Sequence, residues 1–318
     1  MLYEEIVIPE WNVGKTYAHV EVKDWKQFSA LLEVRFLDWS EYNYRGQNDS
    51  SWPLRTKFDR FYREAQSKID EFDPYERLSD LDKNLIQTRV SHINMDSRPN
   101  VLNKLLLNFK RLCTGRRGIN PQSLSSAQWW ALGQHYGLAT PLLDWSSSPY
   151  VATFFALEGT AEPKSGKHAV WVFSHCALDE IFINLTKESE SESESDDHEL
   201  PSIKIHHEIT DENQRIISQN GLFSEVSNGL DIEEYIEKYI PLTGMSPILY
   251  KIEIPHKLRE EFLRHLDIMN INYASLYPDL IGSASAANRL LEKEFTDNIW
   301  QSTPDYVRRM LSDDASHD

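Results

Sequence analysis

The stretch Pro141-Leu142-Leu143-Asp144-Trp145-Ser146-Ser147-Ser148-Pro149 determines the fold more than any other part of the chain. Its first half is a short apolar segment typical of a buried strand, interrupted only by Asp144. Ser148 and Pro149 then begin a helix, because a serine side chain can cap the free N–H groups of the first turn and proline loses no hydrogen bond there. The stretch therefore predicts a strand followed directly by a helix that extends to about Leu157.

The rest of the chain mixes strands and helices, and no pattern repeats at a fixed period. Glycine-bounded alternation and apolar runs predict strands at 41–46, 168–173 and 247–254. Apolar stripes at helical spacing predict helices at 24–36, 123–136, 231–239 and 257–268, with mostly helical sequence between 56 and 117. We therefore predict a single α+β domain over residues 1–318, built on a small mixed β-sheet surrounded by many helices, with a polar tail at 304–318.

The composition excludes several classes of protein. The chain has 318 residues, 40% of them hydrophobic, with 33 basic and 50 acidic side chains and a formal net charge of −17. No window approaches the ~18–20 apolar residues of a membrane-spanning helix, and the first residues lack the basic and apolar regions of a signal peptide. Cys113 and Cys176 offer neither a disulfide framework nor a paired-cysteine metal site. We expect a cytoplasmic protein with no membrane partner and no metal cofactor.

Two segments carry concentrated charge. The Ser/Glu alternation within 186–200 has no apolar face and repels itself, so we interpret it as a solvated acidic surface insertion. Basic residues cluster at 104–117, where a solvated helix face is favoured over a phosphate-binding patch because the net charge opposes general nucleic-acid binding.

Polar residues in apolar surroundings are the candidates for chemistry, since charges are seldom buried without a partner. The sequence has no phosphate loop, no His-Glu-x-x-His and no Gly-x-Ser-x-Gly. Arg45 and Asp144, each beside an aromatic residue in a predicted strand, have two interpretations. They form a buried ion pair or separate capping contacts, or Arg45 and the helix that Ser148 caps create a concave anion site suited to a diphosphate.

Several motifs resemble the FRG domain, which is named for an aromatic-Arg-Gly motif. They are Tyr44-Arg45-Gly46-Gln47, Trp52-Pro53-Leu54 and the block from Gln134-His135-Tyr136-Gly137 to Ser148-Pro149. Asn213-Gln214-Arg215, Gln219-Asn220-Gly221-Leu222-Phe223 and Ser275-Leu276-Tyr277-Pro278-Asp279-Leu280 are similar to later signatures of the family. The resemblance extends over about 24–291, but the family name by itself implies no activity.

A second resemblance is to the arginine-type ADP-ribosyltransferases and implies NAD as the substrate. Tyr44-Arg45-Gly46, and Trp145 to Ser148 followed by Val151-Ala152-Thr153-Phe154-Phe155, resemble two motifs of these enzymes in the same chain order. Carried over, the likeness implies that Arg45, beside Tyr44, holds an NAD phosphate. It further implies that the backbone at Gly46 binds the nicotinamide amide and that Ser146 or Ser148 braces the site.

The reaction also needs a carboxylate, because the ribose becomes cationic as nicotinamide leaves. Lys251-Ile252-Glu253 has the strand setting and final glutamate of the transferase motif but departs at its first position, whereas Asp279 matches only the FRG signature. We favour Asp279 slightly over Glu253. The structural alternatives are a turn or N-cap role for Asp279, an exposed strand position for Glu253, and a transferase-like fold that has lost its catalytic group.

Arg215 and Gln219 have the i, i+4 spacing that places two side chains on one helix face. With Gln134 and His135 they are candidates for contacting the substrate or the adenine side of NAD, and the alternative is that Arg215 and Gln219 cap a neighbouring strand.

Three functions follow from these interpretations. The first is an NAD-consuming mono-ADP-ribosyltransferase or NAD hydrolase, acting on a nucleic-acid or protein acceptor as a toxin or phage-defence effector. The second is a non-catalytic module that binds a nucleotide or phosphorylated ligand. The third is a metal-independent ribonuclease that uses His135 with Asp144 or Arg215 for acid–base chemistry.

Overall fold

The computed structural model describes residues 7–36, 41–71, 96–175, 178, 202–207, 214–240 and 247–302. The acidic segment 186–200 and the tail 304–318 lie outside these described residues. Eight strands fall within them: β1 (Asn12–Val13), β2 (Ala18–Glu21), β3 (Tyr42–Gln47), β4 (Leu143–Ser146), β5 (Lys167–Ser174), β6 (Ile203–His206), β7 (Gly221–Val226) and β8 (Leu249–Pro255).

Ten α-helices accompany the strands in the same ranges, and a 3-10 turn at His256–Leu258 precedes the eighth. They are α1 (Trp25–Arg35), α2 (Lys57–Asp70), α3 (Arg98–Leu112), α4 (Ser126–His135), α5 (Pro149–Leu157), α6 (Gln214–Ser218), α7 (Ile232–Tyr239), α8 (Arg259–Ile268), α9 (Tyr273–Leu276) and α10 (Leu280–Ser302). None of these helices in the described part of the chain combines the length and hydropathy needed to cross a bilayer.

The strands form one open sheet in the order β1-β2-β8-β5-β3-β4-β7-β6. β2 and β8 are parallel, with Ala18 opposite Tyr250, whereas the other neighbouring strands are antiparallel. The sheet is therefore mixed, and the predicted α+β class is confirmed.

The α5 helix begins as the sequence predicts. The Ser148 side chain accepts a hydrogen bond from the Val151 N–H at 3.3 Å, and Pro149 is the first helical residue. The helix begins two residues after β4 and packs on β3, so β3 and β4 both contact α5.

The sheet buries both of its faces. Helices α1, α5 and α8 cover one face, where Tyr44 and Phe28 lie fully buried. The other face carries Trp145, Trp171 and Phe173 and packs against α7. A third apolar cluster joins α2, α3 and α4 to β7. By the alternation of side chains along a strand, Arg45 lies on the same face as Trp171, its cross-strand partner, and opposite to Tyr44.

Gly46 lets α5 lie directly on β3. A Cβ atom at this position would fall 2.0 Å from the Ala152 carbonyl oxygen and 2.4 Å from the Ala156 nitrogen, far inside van der Waals contact. The glycine of the aromatic-Arg-Gly motif is therefore required by helix–strand packing.

Within the described residues the predicted helices and strands are present with small shifts at their ends, and residues 72–95 of the helical prediction for 56–117 lie outside them. The sheet is larger than the four strands that the sequence indicates. β1, β2, β6 and β7 were not predicted. Three of them have four residues or fewer, too short for a period-two pattern, and β7 begins at Gly221, which indicated a turn.

Candidate functional site

A cavity of about 510 Å³ opens beside β3 and β4, where the two strands pair at one position only, Tyr44 with Ser146. The described residues that line it come from β3, β4, β7, α2 and α6, from the carboxyl ends of α4 and α5, and from the segments around Trp52 and Tyr277. Its volume lies within the range of about 300–1,000 Å³ that small-molecule and cofactor sites occupy. We call it the β3–β4 cavity.

Arg45 projects from β3 into the wall of this cavity. Its Nη1 donates to the Asp144 backbone carbonyl at 2.7 Å and lies 3.9 Å from the Asp144 carboxylate, while its side chain is only 21% exposed. Its Nε is buried and has no hydrogen-bond partner among the residues that the structure describes. Burial lowers the pKa of Arg45 from its ordinary value, and the nearby Asp144 opposes the change. A buried guanidinium with an unused donor is suited to an anionic ligand.

The ion pair between Arg45 and Asp144, one of the interpretations offered by the sequence, is present at 3.9 Å but is not buried, because the Asp144 side chain is 59% exposed. The shorter contact of Arg45 is to the backbone. The Asp144 carboxylate accepts instead from Gln134 Nε2 at 2.9 Å. Gln134 also accepts from the Thr140 hydroxyl, so its amide is oriented from both ends. His135 lies next to it in the cavity wall, half-buried at the end of α4.

Ser146 and Gln219 connect β4 to the turn before β7. Ser146 Oγ donates to the Gln219 carbonyl at 2.7 Å and accepts from the Ser148 N–H at 3.0 Å, and Gln219 Nε2 donates to the Leu276 carbonyl at 3.1 Å. Ser146 and Gln219 line the cavity, whereas Ser148 does not and serves as the cap of α5. Tyr44 borders the cavity, but its ring lies in the core on the other face of the sheet.

Arg215 is held in the cavity wall from two sides. Its Nε donates to Asp279 Oδ2 at 2.8 Å, its Nη2 contacts the same oxygen, and its guanidinium lies 5.0 Å from the centroid of the Tyr277 ring. Arg215 lies in α6 and Gln219 directly after its last residue, and both line the cavity. Their roles in binding stay predictions.

The two carboxylates predicted to be catalytic do not line the cavity. Asp279 caps α10 by accepting the Gly282 N–H at 2.9 Å, and this bond together with the Arg215 guanidinium lowers the pKa of Asp279. Glu253 lies in β8, two strands from β3, with its carboxylate 3.3 Å from Lys167 Nζ and 3.5 Å from Lys251 Nζ. Both carboxylates are thus ion-paired at a distance from Arg45.

Glu158, which the sequence analysis missed, brings a carboxylate to the cavity. It follows the last residue of α5, lines the cavity and accepts from the Tyr277 hydroxyl at 3.0 Å. Burial raises the pKa of Glu158, and the bond from Tyr277 opposes the change. A signal was present in the sequence: Glu158 ends an otherwise apolar helix, and an anion at a helix carboxyl terminus is unfavourable without a specific reason.

Aromatic side chains complete the wall. Trp52, at 47% exposure, and Phe155 line the cavity, and Phe155 makes an edge contact with Tyr277 at 6.1 Å between ring centroids. Arg60 adds a further exposed cation. Arginine donors beside flat apolar rings can bind the phosphate and the ring of one nucleotide ligand.

The arginine and the glycine of the aromatic-Arg-Gly motif, the Gln134-His135 pair and the Asp144-Trp145-Ser146 strand all meet at this cavity. Residues 40–165 match the model of the FRG domain family. The FRG match covers β3, β4 and α5, but Arg215, Gln219 and Tyr277 lie beyond it. No curated protein and no solved structure matches the chain. The likeness to ADP-ribosyltransferases has no support from these comparisons.

Proposed function

We propose that the β3–β4 cavity binds NAD through its diphosphate and that the protein breaks the bond between nicotinamide and ribose. The observation that carries the proposal is the half-buried Arg45 guanidinium in the wall of a ligand-sized cavity, whose Nε has no partner within the described residues. A phosphate oxygen that reaches this guanidinium forms charge-assisted hydrogen bonds, which are roughly twice as strong as neutral ones.

The remaining wall suits the rest of the molecule. NAD carries two flat rings besides its phosphates, and the wall offers Trp52 and Phe155 as apolar surfaces and Arg215 as a second guanidinium. The amides of Gln134 and Gln219 are oriented by hydrogen bonds to their neighbours, which suits them to contact ribose hydroxyls or the adenine ring.

In the proposed reaction the bond from ribose C1′ to the nicotinamide nitrogen breaks, and its electron pair leaves with neutral nicotinamide. C1′ becomes cationic and is attacked by an oxygen or nitrogen atom of an acceptor, which loses one proton to solvent. With water as acceptor the products are ADP-ribose, nicotinamide and a proton. With a nucleic acid or protein as acceptor the product is a mono-ADP-ribosylated molecule. The protein supplies charge stabilisation and positioning.

A cellular role follows only as part of the same proposal. An enzyme that consumes NAD lowers the NAD concentration of the cell in which it acts. This effect is the basis of the proposed role as a cytoplasmic toxin or phage-defence effector. Assays of nicotinamide release with nucleic-acid and protein mixtures would identify the acceptor.

A second candidate is a non-catalytic module that binds a nucleotide or phosphorylated ligand. One observation favours it: Asp279 and Glu253, the carboxylates that the motifs indicate for catalysis, are both ion-paired outside the cavity wall. This candidate keeps the Arg45 site and predicts ligand binding without turnover.

The test is release of nicotinamide from labelled NAD by the purified protein, measured together with the thermal midpoint in the presence of NAD. We expect release and a raised midpoint in the wild type, and loss of both in Arg45→Ala. Arg264→Ala, which removes an exposed arginine of α8 away from the cavity, is the matched control and should behave as wild type. A raised midpoint without release favours the binding module. Absence of both in wild type, with water, RNA, DNA and cell lysate as acceptors, excludes the NAD proposal.

A further inference from the structure

Hydrogen bonds from neighbouring helices hold the end of α5 that carries Glu158. Its backbone carbonyl accepts from the Tyr273 hydroxyl at 3.0 Å and from Arg259 Nη2 at 3.4 Å. Arg259, buried at 7% exposure, also donates from Nε to the Leu157 and Gly159 carbonyls, both at 2.8 Å. The end of α5 is thus fixed by α8 and α9, and the Glu158 side chain is fixed by Tyr277.

We propose that Glu158 is the catalytic carboxylate of this cavity, facing the reacting ribose, and that Tyr277 positions it. This inference rests on the proposed cleavage of NAD. It assigns the catalytic group to a residue outside the motifs that indicated Asp279 and Glu253.

Three relations favour Glu158 over the other carboxylates. It lines the same cavity as Arg45, which Asp279 and Glu253 do not. Asp144 lines the cavity too, but its side chain is 59% exposed and hydrogen-bonded to Gln134, so water screens its charge. Glu158 is half-buried, and a carboxylate interacts more strongly with a developing sugar cation where the local dielectric is lower.

The charge state of Glu158 gives the assignment a specific signature. Burial raises its pKa and the Tyr277 hydroxyl, which donates to the carboxylate, lowers it. The carboxylate form is the one that stabilises a cation, so activity should rise with pH as Glu158 ionises. Removing the Tyr277 hydroxyl should raise the pKa further and move this acid limb to higher pH.

Other titratable groups surround Glu158, and the Tyr277→Phe substitution leaves all of them in the sequence. Tyr273 lies on α9, Arg259 and Asp267 lie on α8, and Arg289 and Glu292 lie on α10, all bordering small crevices that Glu158 also lines. Arg215 packs on the Tyr277 ring, and Arg45 and Asp144 lie in the same cavity wall.

The experiment compares Glu158→Gln, Tyr277→Phe and Glu162→Gln with wild type. Glu162→Gln is the matched control because Glu162 is exposed, four residues further on and outside the cavity. We expect Glu158→Gln to lose nicotinamide release by about 100-fold or more, as loss of one charge-stabilising group does in enzymes, while NAD still raises its thermal midpoint. We expect Tyr277→Phe to shift the acid limb of the pH–rate profile to higher pH.

The outcomes separate the two proposals. If Glu158→Gln releases nicotinamide at the wild-type rate, the assignment of Glu158 is wrong and the NAD proposal still holds. A wild type that neither binds NAD nor releases nicotinamide overturns both. If Glu158→Gln does not fold, the pH profile of Tyr277→Phe decides, because that variant removes one hydroxyl only. An acid limb that does not move in it contradicts the assignment.

Discussion

Arg45 Nη1 is bonded to the backbone carbonyl of Asp144 at 2.7 Å, and the carboxylate of the same residue lies 3.9 Å away and mostly in solvent. The guanidinium is therefore oriented mainly by a main-chain carbonyl, and its counter-ion on β4 is longer and exposed to solvent. Water screens the charge of an exposed carboxylate, so Asp144 offsets the charge of Arg45 only in part.

Arg45→Lys should impair the site although it keeps the positive charge. An ammonium group cannot bond the Asp144 carbonyl and present a planar fork to a phosphate at the same time. We expect NAD affinity to fall about tenfold, the equivalent of one charge-assisted hydrogen bond of ~1.4 kcal/mol. Isothermal titration calorimetry measures the change, and wild-type affinity in Arg45→Lys would mean that charge alone matters.

Gly46→Ala should destabilise the protein, because the new Cβ would overlap the backbone of α5 at Ala152 and Ala156. We expect the free energy of unfolding to fall by about 1–3 kcal/mol or more, the usual cost of overpacking. Urea denaturation measures this change. Gly221→Ala is the control, since its nearest contacts would be an ordinary 3.4–3.6 Å. Equal stability of the two variants would contradict the packing role of Gly46.

Asp279 should act through Arg215. Asp279→Asn retains an oxygen that can cap α10 but removes the charge. We expect NAD affinity to fall by less than about fivefold, because an ion pair exposed to solvent contributes little. In an Arg215→Met background the same substitution should have no further effect on affinity. Loss of nicotinamide release in Asp279→Asn with unchanged NAD binding would instead support Asp279 as the carboxylate that the proposed reaction needs.

Stability should decrease in mild acid because of a histidine pair. His168 is fully buried in β5 with its Nε2 2.9 Å from His256 Nδ1, and burial lowers the pKa of His168 to about 4 from 6.5. Between these values the unfolded chain binds more protons than the folded one, so the free energy of unfolding falls as pH decreases from about 6.5 to 4. Urea unfolding across this window should show a smaller decrease in His168→Gln than in wild type. Parallel pH curves for the two proteins would exclude His168 as the cause.

Much of the site could be predicted because its signals are local. The Ser148–Pro149 helix start and the isolated polar residues Arg45 and Gln134 are visible in short windows of sequence, and the structure brings Arg45 and Gln134 to one cavity. The resemblance to FRG signatures added Arg215 and Gln219, which local patterns alone would leave as a helix face.

The rest depends on contacts between distant parts of the chain. Glu158 belongs to the site because Tyr277, more than a hundred residues later, bonds its carboxylate and closes that side of the cavity. Asp279 matches an FRG signature, yet its carboxylate accepts hydrogen bonds from Arg215 and from the first turn of α10. Short strands such as β2 are recognisable only through their partners in the sheet, which no local pattern reveals.

The position of β8 between β2 and β5 also determines the order in which parts of the sheet can form during translation. The β1–β2 hairpin comes before β8 in the chain, and its place in the sheet beside β8 does not exist until residues 249–255 have been translated. Tyr277 emerges later still. A nascent chain can therefore hold Arg45 and Asp144 in their strands while the wall around Glu158 is incomplete, and protease protection of stalled chains should reach the hairpin only after β8 has left the ribosome. The cavity wall is therefore complete only after residue 277 has been translated.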